Sequence, residues 1–385
     1  MKNFVFYNHT KILFGKDQIA AITGEIPADS RILLIYGGGS IKENGIYDQV
    51  IDAISDFEYY EFGGIEPNPS YEKCMEALDV IDENEIDFLL AVGGGSVIDA
   101  TKFIAAAAFY EGEDPWDILA HSEEVLEALP IGTVLTLPAT GSEMNGSAVI
   151  SRLEYKEKLA FSSPELLPLF SVLDPQVVES LPKRQIENGI VDTFVHVMEQ
   201  YLTYSVDAKV QDRMAEGIML TLIEEGPKVL ADPSNYNAAA NYMWSATMAL
   251  NSLIGSGVPQ DWSTHSIGHE ITALHGVDHA RTLAIVLPGT MKVMKESKKD
   301  KITQYAQRIW GITGNSDDEI VDAAIKKTID FFESMGIKTR LRDYYIPVTI
   351  ADEIADRMEQ RGDVNIGENK LVGIDEIRKI LEGRY

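Results

Sequence analysis

The chain's 385 residues are 45% hydrophobic and 24% charged, a balance that supports about two folded domains with their own cores and excludes a disordered chain. Acidic residues outnumber basic ones 61 to 33, for a formal charge of -28, so the average surface repels nucleic acid and anionic membranes. A single cysteine, Cys74, excludes an intramolecular disulfide, and no apolar run reaches the roughly 18 residues that span a bilayer, which points to a cytoplasmic protein.

In chain order, Phe4 to Tyr7 and Lys11 to Phe14 flank the turn-like pair Asn8 and His9 and predict an opening hairpin. Strands then alternate with helices. Arg31 to Tyr36 is a continuous apolar strand ending in Gly37-Gly38-Gly39-Ser40, with a helix following to about Ile54. Tyr59 to Phe62 predicts a second strand, Tyr71 to Asp82 a helix, and Asp87 to Val92 a third strand running into Gly93-Gly94-Gly95-Ser96. An Ala-rich helix to about Phe109 and the strand Ile131 to Leu137 complete a βαβ pattern, which implies a doubly wound sheet binding ligands at its carboxyl edge. From about Leu181, past Pro175 and Pro182, strand signals give way to helical periodicity at Arg184 to Leu202, Ala208 to Leu230, Asn237 to Leu253, Lys301 to Trp310, Asp318 to Met335 and Ile350 to Gln360. The expected architecture is an α/β, Rossmann-like dinucleotide-binding domain over 1–180 followed by an all-helical metal and substrate domain over 181–385.

The second glycine loop lets the backbone approach an anion, and the helix it opens offers free amides with a partial positive charge. Ser96 and Asp99 also match a capping box, which is compatible with phosphate binding. The first loop has no carboxylate at Gly38, Gly39 or Ser40 to take a ribose hydroxyl and repel a 2'-phosphate, so its amides, the Ser40 hydroxyl and nearby Lys42 favour NADP over NAD. The loop from Thr136 through Thr140 to Glu143 leaves the next strand at the same edge, and Lys158 lies in a possible second hairpin.

Four of the seven histidines fall between His265 and His279, beside Gly268 and Gly276. Imidazole is a common ligand for divalent transition metals, so the cluster points to a metal site. His265 and His269 share a helix face, whereas His279 lies past the expected break at Gly276 and must fold back. Upstream, Asp192, His196 and Glu199 stand at i, i+4 and i+7 on one side of a helix and offer further ligands. No HExxH pattern is present, which leaves a zinc-protease reading without support.

Gly93-Gly94-Gly95-Ser96-x-x-Asp99-x-x-Lys102, the Thr136 to Glu143 loop, Asp192-x-x-x-His196-x-x-Glu199 and His265-x-x-x-His269 with distal His279 together resemble the iron-dependent (group III) alcohol dehydrogenases. Phe62 to Pro69, Gly37 to Ser40 and Gly257 to Trp262 are most similar to the bacterial NADPH-dependent aldehyde reductase and butanol dehydrogenase branch. The resemblance spans essentially the whole chain and implies a dehydroquinate synthase-like architecture. It implies that Asp192, His196, His265 and His279 bind one divalent metal, zinc or iron, with His269 beside it and Glu199 and His275 in supporting roles. Gly38 and Ser40 would hold the 2'-phosphate, Gly94, Gly95 and Ser96 the pyrophosphate, and Asn68, Asp99, Thr136, Thr140 and Lys158 would contact the cofactor.

The activity so implied is reversible hydride transfer between NADP(H) and a short- or medium-chain aldehyde, with the metal as Lewis acid and His269 as proton relay. The expected partners are a small aldehyde or alcohol and a second copy of the chain in a homodimer. Trp262, Leu274 and Asn145 are possible pocket residues. The competing readings are an NAD-linked polyol dehydrogenase, a dehydroquinate synthase-like lyase that consumes no net cofactor, and a nucleotide-responsive binding protein.

Overall fold

The computed structural model describes residues 1–314 and 316–385. They form two compact units: Tyr7–Leu181 with Pro233–Thr247, and Met1–Phe6 with Pro182–Asp232 and Met248–Tyr385. The chain crosses between them at Leu181 and Pro182, beside the sequence boundary, and again around a helix drawn from the second half of the chain.

The first unit is built on a parallel sheet. Its strands are β1 (Lys11–Phe14), β2 (Arg31–Tyr36), β3 (Glu58–Phe62), β4 (Phe88–Gly94), β5 (Ile131–Leu137) and, after an antiparallel ribbon of β6 (Ser147–Arg152) and β7 (Glu157–Ser162), β8 (Phe170–Leu173). The spatial order is β1-β8-β5-β4-β2-β3, with every neighbour parallel. Ile32 to Ile35 and Phe88 to Val92 are wholly buried, as expected of strands covered on both faces. Between the strands lie α1 (Ser40–Glu43), α2 (Ile46–Ile54), α3 (Tyr71–Asn84), α4 (Gly95–Ala107) and α5 (Asp117–Ala120). The chain steps from β2 outward to β3 and then back across to β4. That reversal sets a topological switch point between β2 and β4, whose carboxyl ends carry the two glycine loops.

Several local expectations are corrected. Phe4 to Tyr7 form no strand; β1 pairs in parallel with β8 instead. Asn8 Oδ1 accepts from the Thr10 amide at 3.1 Å, a local turn that redirects the chain rather than closing a hairpin. The first predicted helix breaks into α1 and α2 at Asn44 and Gly45, where Gly45 takes φ 78°. Ser96 is not a cap, because α4 starts two residues earlier than that would require, with Gly94 at its N-cap.

The helical unit contains α6 (Lys183–Tyr201), α7 (Lys209–Ala231), α9 (Ser263–His275), α10 (His279–Val293), α11 (Lys295–Trp310), α12 (Asp317–Ser334), α13 (Ile350–Arg361) and α14 (Ile374–Glu382). A two-residue ribbon of β9 (Asn365–Ile366) and β10 (Val372–Gly373) is the strand structure seen among its described residues. α6 is buried continuously from Asn188 to Tyr201, so its polar residues point into the interior. Ile267 and Ile271 of α9 pack with Ile285 and Val286 of α10 and with Ile354 and Ile380 from α13 and α14. A Cβ on Gly268 would stand 2.9 Å from Thr282 Oγ1, so glycine there is what lets α9 lie close against α10.

The intervening helix, α8 (Tyr236–Ala249), packs by its side chains onto the first unit: Tyr242 donates to the Pro138 carbonyl, Thr247 donates to Glu143 Oε1 at 2.5 Å, and Trp244 meets Phe14 edge-on at 5.8 Å.

Candidate active site

Three helices of the second unit bring the candidate ligands together. α6 presents Asp192, His196 and Glu199, and α9 presents His265 and His269. α9 ends at Gly276 with φ 64°, and α10 begins at His279, so two intervening residues fold the chain back. One donor atom each from Asp192, His265 and His279 lies within 4.8 Å of the other two. His196 stands outside this tightest group, yet its Nε2 is 3.9 Å from Asp192 Oδ1, and the same oxygen is 3.7 Å from His279 Nε2. The His196 and His265 rings stack at 4.8 Å. His269 lies alongside, 5.0 Å from the His279 ring and 6.2 Å from that of His265.

Asp192 Oδ1 is buried and makes no hydrogen bond. A carboxylate oxygen taken from water and turned toward imidazoles is costly without a cation, and a divalent ion fits this mixed nitrogen and oxygen set. Asp192, His265 and His279 thus have the donor chemistry and the closeness that could hold an ion, with His196 beside Asp192.

Glu199 supports the set. It is 3% exposed and bonds His265 Nδ1, while its oxygens accept from the amides of Thr264 at 2.8 Å and His265 at 3.1 Å. With Nδ1 so engaged, the Nε2 lone pair is the one a metal would take, and the ring orientation is fixed. Burial, followed by repulsion from Asp261, pushes the Glu199 carboxyl up to about 8. Asp261 completes the arrangement: its Oδ1 accepts from the Ser263 amide at 2.9 Å, its Oδ2 from Lys298 Nζ at 2.7 Å, and Lys298 reaches Glu368 at 2.8 Å. The N-cap position of α9, Trp262, makes no side-chain cap, so Asp261 and Glu199 satisfy the first-turn amides in its place. Trp262 itself sits at φ 64° with its ring 5.1 Å from His265. His275 is exposed at the end of α9.

In the first unit, Gly94 and Gly95 link β4 to α4 at the switch point. A Cβ on Gly95 would stand 2.5 Å from Thr140 Oγ1, which explains the bare backbone there and brings Thr140 beside the loop. Lys158 Nζ donates to Asn68 Oδ1 at 2.7 Å, and the Asn68 amide donates to Ser96 Oγ at 3.3 Å, joining three predicted cofactor residues in one chain of contacts. Asp99 faces inward: its oxygens accept from Ser142 Oγ at 2.6 Å and the Val149 amide at 3.0 Å, so it braces the 142 loop and β6. Thr136 is half-buried at the end of β5, and Gly38 and Ser40 are exposed at the end of β2.

Two features escaped the sequence reading. Glu61, at the end of β3, accepts from Tyr36 at 2.8 Å, Tyr47 at 2.6 Å and Lys42 at 3.2 Å, so a carboxylate absent from the first loop itself stands on the strand beside it, already engaged with a cation. Its offset from the first loop, about 20 residues, is a usable signal. The buried Lys298 had no such signal within its lysine-rich run, whereas Asp261 two residues before Ser263 does read as a helix start.

Comparison with known proteins sets these features in a family. Residues 9–175 match the family model described as iron-containing alcohol dehydrogenase, and residues 186–384 match the C-terminal model of the Fe-containing alcohol dehydrogenase family. The chain is 54% identical over 384 residues to the NADPH-dependent aldehyde reductase YqhD of Escherichia coli, covering 99% of each. It is 40% identical to a probable NADH-dependent butanol dehydrogenase of Bacillus subtilis, again over 99% of each. The crystal structure of the E. coli YqhD protein superposes with a TM-score of 0.98 at 53% identity, covering 100% of this chain and 99% of that one.

Proposed function

This chain belongs to the iron-containing alcohol dehydrogenase family, and from that premise we propose that it is a metal-dependent, NADP(H)-linked aldehyde reductase acting reversibly on short- or medium-chain aldehydes and alcohols. The observation that carries this reading is the convergence of Asp192, with its unbonded buried oxygen, on His196, His265 and His279. These four residues would hold one divalent ion, whose Lewis acidity stabilises negative charge developing on the carbonyl oxygen while the nicotinamide supplies hydride to carbon. Glu199 keeps His265 in the ligating tautomer and orientation. His269, adjacent to the ligands, carries the proton for the alcohol oxygen, its ring lying 5.0 Å from that of His279.

Gly94, Gly95 and Ser96 are assigned to the pyrophosphate, with Asn68 and Lys158 fixing that loop and contacting the cofactor together with Thr136 and Thr140. Asp99 acts through Ser142 and β6 rather than as a free hydrogen-bonding arm. Gly38 and Ser40 are assigned to the 2'-phosphate. Their lack of a carboxylate and the engagement of Glu61 with Lys42 support NADP over NAD. Zinc and iron both suit the donor set, so metal analysis followed by reconstitution of stripped protein identifies the ion.

We place the enzyme in the cytoplasm, in keeping with its single, buried Cys74, and as a homodimer. Among the described residues no helix is long and apolar enough to cross a membrane. The functional test is an oxidation panel with NADPH and NADH over aldehydes of increasing length. Aldehyde-dependent NADPH consumption is expected. Turnover without net cofactor consumption would favour the lyase reading, and no turnover by metal-replete protein would favour a nucleotide-binding protein.

A further inference from the structure

A cavity of about 350 Å³ opens on the helical unit where α10, α12 and α14 meet, lined by none of the residues assigned above. Pro288, Ile325 and Ile329 give it an apolar part, and Lys292, Lys326 and Lys379, with the single carboxylate Asp322, give it a charged part. On a chain of formal charge -28, a lining with four cations, Lys292, Lys326, Lys379 and Arg384, against the one carboxylate of Asp322 is a local excess of positive charge.

Arg384 forms one wall. It is 5% exposed, and its Nε and Nη2 donate to the main-chain carbonyls of Ile285 at 3.0 Å and Thr339 at 2.6 Å. Among the described residues no carboxylate stands within ion-pair distance of it. Burial, aided by repulsion from Arg340 and only partly offset by attraction to Glu333, pulls its guanidinium down to about 10. The lysines differ: each is exposed beside a surface acid, Lys292 with Asp322, Lys326 with Asp330 and Lys379 with Glu376. Such pairs are weak and exchange readily for another anion. The buried guanidinium, hydrogen-bonded to two carbonyls and attracted by Glu333 without an ion pair to it, gains more from an anion brought to it.

We propose that this cavity binds an aliphatic carboxylate, with its chain on Ile325, Ile329 and Pro288 and its head at Arg384 and the lysines. A small inorganic anion would leave the apolar part in contact with water, and a neutral chain would leave Arg384 without an ion pair. The carboxylate satisfies both.

Calorimetric titration of the full chain with octanoate, octanol and inorganic phosphate tests this. Octanoate should bind with one-to-one stoichiometry, at least tenfold tighter than octanol, and more weakly as salt is added, while phosphate gives no saturable heat. Arg384→Leu should abolish binding. Because that change also removes two structural hydrogen bonds, the exposed pair Lys326→Glu with Lys379→Glu provides a second test: affinity should fall tenfold or more with aldehyde reduction unchanged. Equal affinity for octanoate and octanol, or unaltered octanoate binding by the lysine variant, would overturn the proposal. So would a lysine variant whose mass by light scattering is halved while octanoate affinity is kept, since the face would then be a contact between copies.

Discussion

At the level of single residues, the proposed metal ligands separate from their neighbours by what each atom touches. Asp192 offers a buried oxygen without a hydrogen bond, whereas Glu199 is engaged by His265 and two amides. Spacing along α6 put all three polar residues on one side but could not tell ligand from support, because that distinction depends on where the first turn of α9 lands. His269 is adjacent without belonging to the tightest group. His269→Ala is expected to lower kcat by about 10² or more while bound metal, measured by elemental analysis, stays at the wild-type level; an unchanged kcat would remove its proton-carrying role. Gly38 tests the cofactor side, since no atom lies within 4 Å of a Cβ built there. Gly38→Asp places a carboxylate where the 2'-phosphate is assigned, so NADPH affinity should fall at least about tenfold while NADH affinity is little changed. Equal losses for both cofactors would place the phosphate elsewhere.

At the level of elements, the continuous apolar runs of β2, β4 and β5 were plain in the sequence because strands buried on both faces show little alternation. β8 was not, being four residues beside proline-marked turns, and its partner β1 was misread as half of a hairpin. Short parallel pairings lack the local turn signal that marks a hairpin, since their partners are distant in sequence. The start of α9 depends on a buried charge cluster that periodicity does not register. Burial alone would raise the Asp261 carboxyl, but Lys298 and the Ser263 donors outweigh it and hold it below the ordinary range. Lys298 is lowered by burial, yet Asp261 and Glu368 raise it on balance. The Asp261 contribution is therefore complete above its ordinary value of 3.8 and disappears as pH falls through the lower folded value. That of Lys298 is complete below 10.5 and disappears as pH rises through the higher folded value. Lys298→Met strands buried acids and should cost about 3–5 kcal/mol at neutral pH by urea denaturation. The deficit should narrow in acid, as Asp261 is neutralised. A deficit below about 1 kcal/mol, or one independent of pH, would show that the cluster is not an ionic brace.

At the level of the whole molecule, the order of the proposed chemistry follows the order of the chain: the loops assigned to phosphate, on a parallel sheet, come first, and the proposed metal ligands, on helices, second. The change from parallel sheet to helices is readable in the shift of periodicity near Leu181. The placement of α8 with the first unit is not, because its helical signal is the same whichever core receives its side chains, and only contacts such as Tyr242 to Pro138 decide the matter. The central claim is that Asp192, His196, His265 and His279 hold an ion on which NADPH-dependent aldehyde reduction depends. The direct measurement is the rate of butanal-dependent NADPH oxidation by protein stripped of metal and then reloaded with zinc or ferrous iron, with metal content determined at each stage. The account predicts that activity disappears with the ion and returns with one equivalent, and that Asp192→Ala cannot be reloaded; full activity in protein free of metal would contradict it.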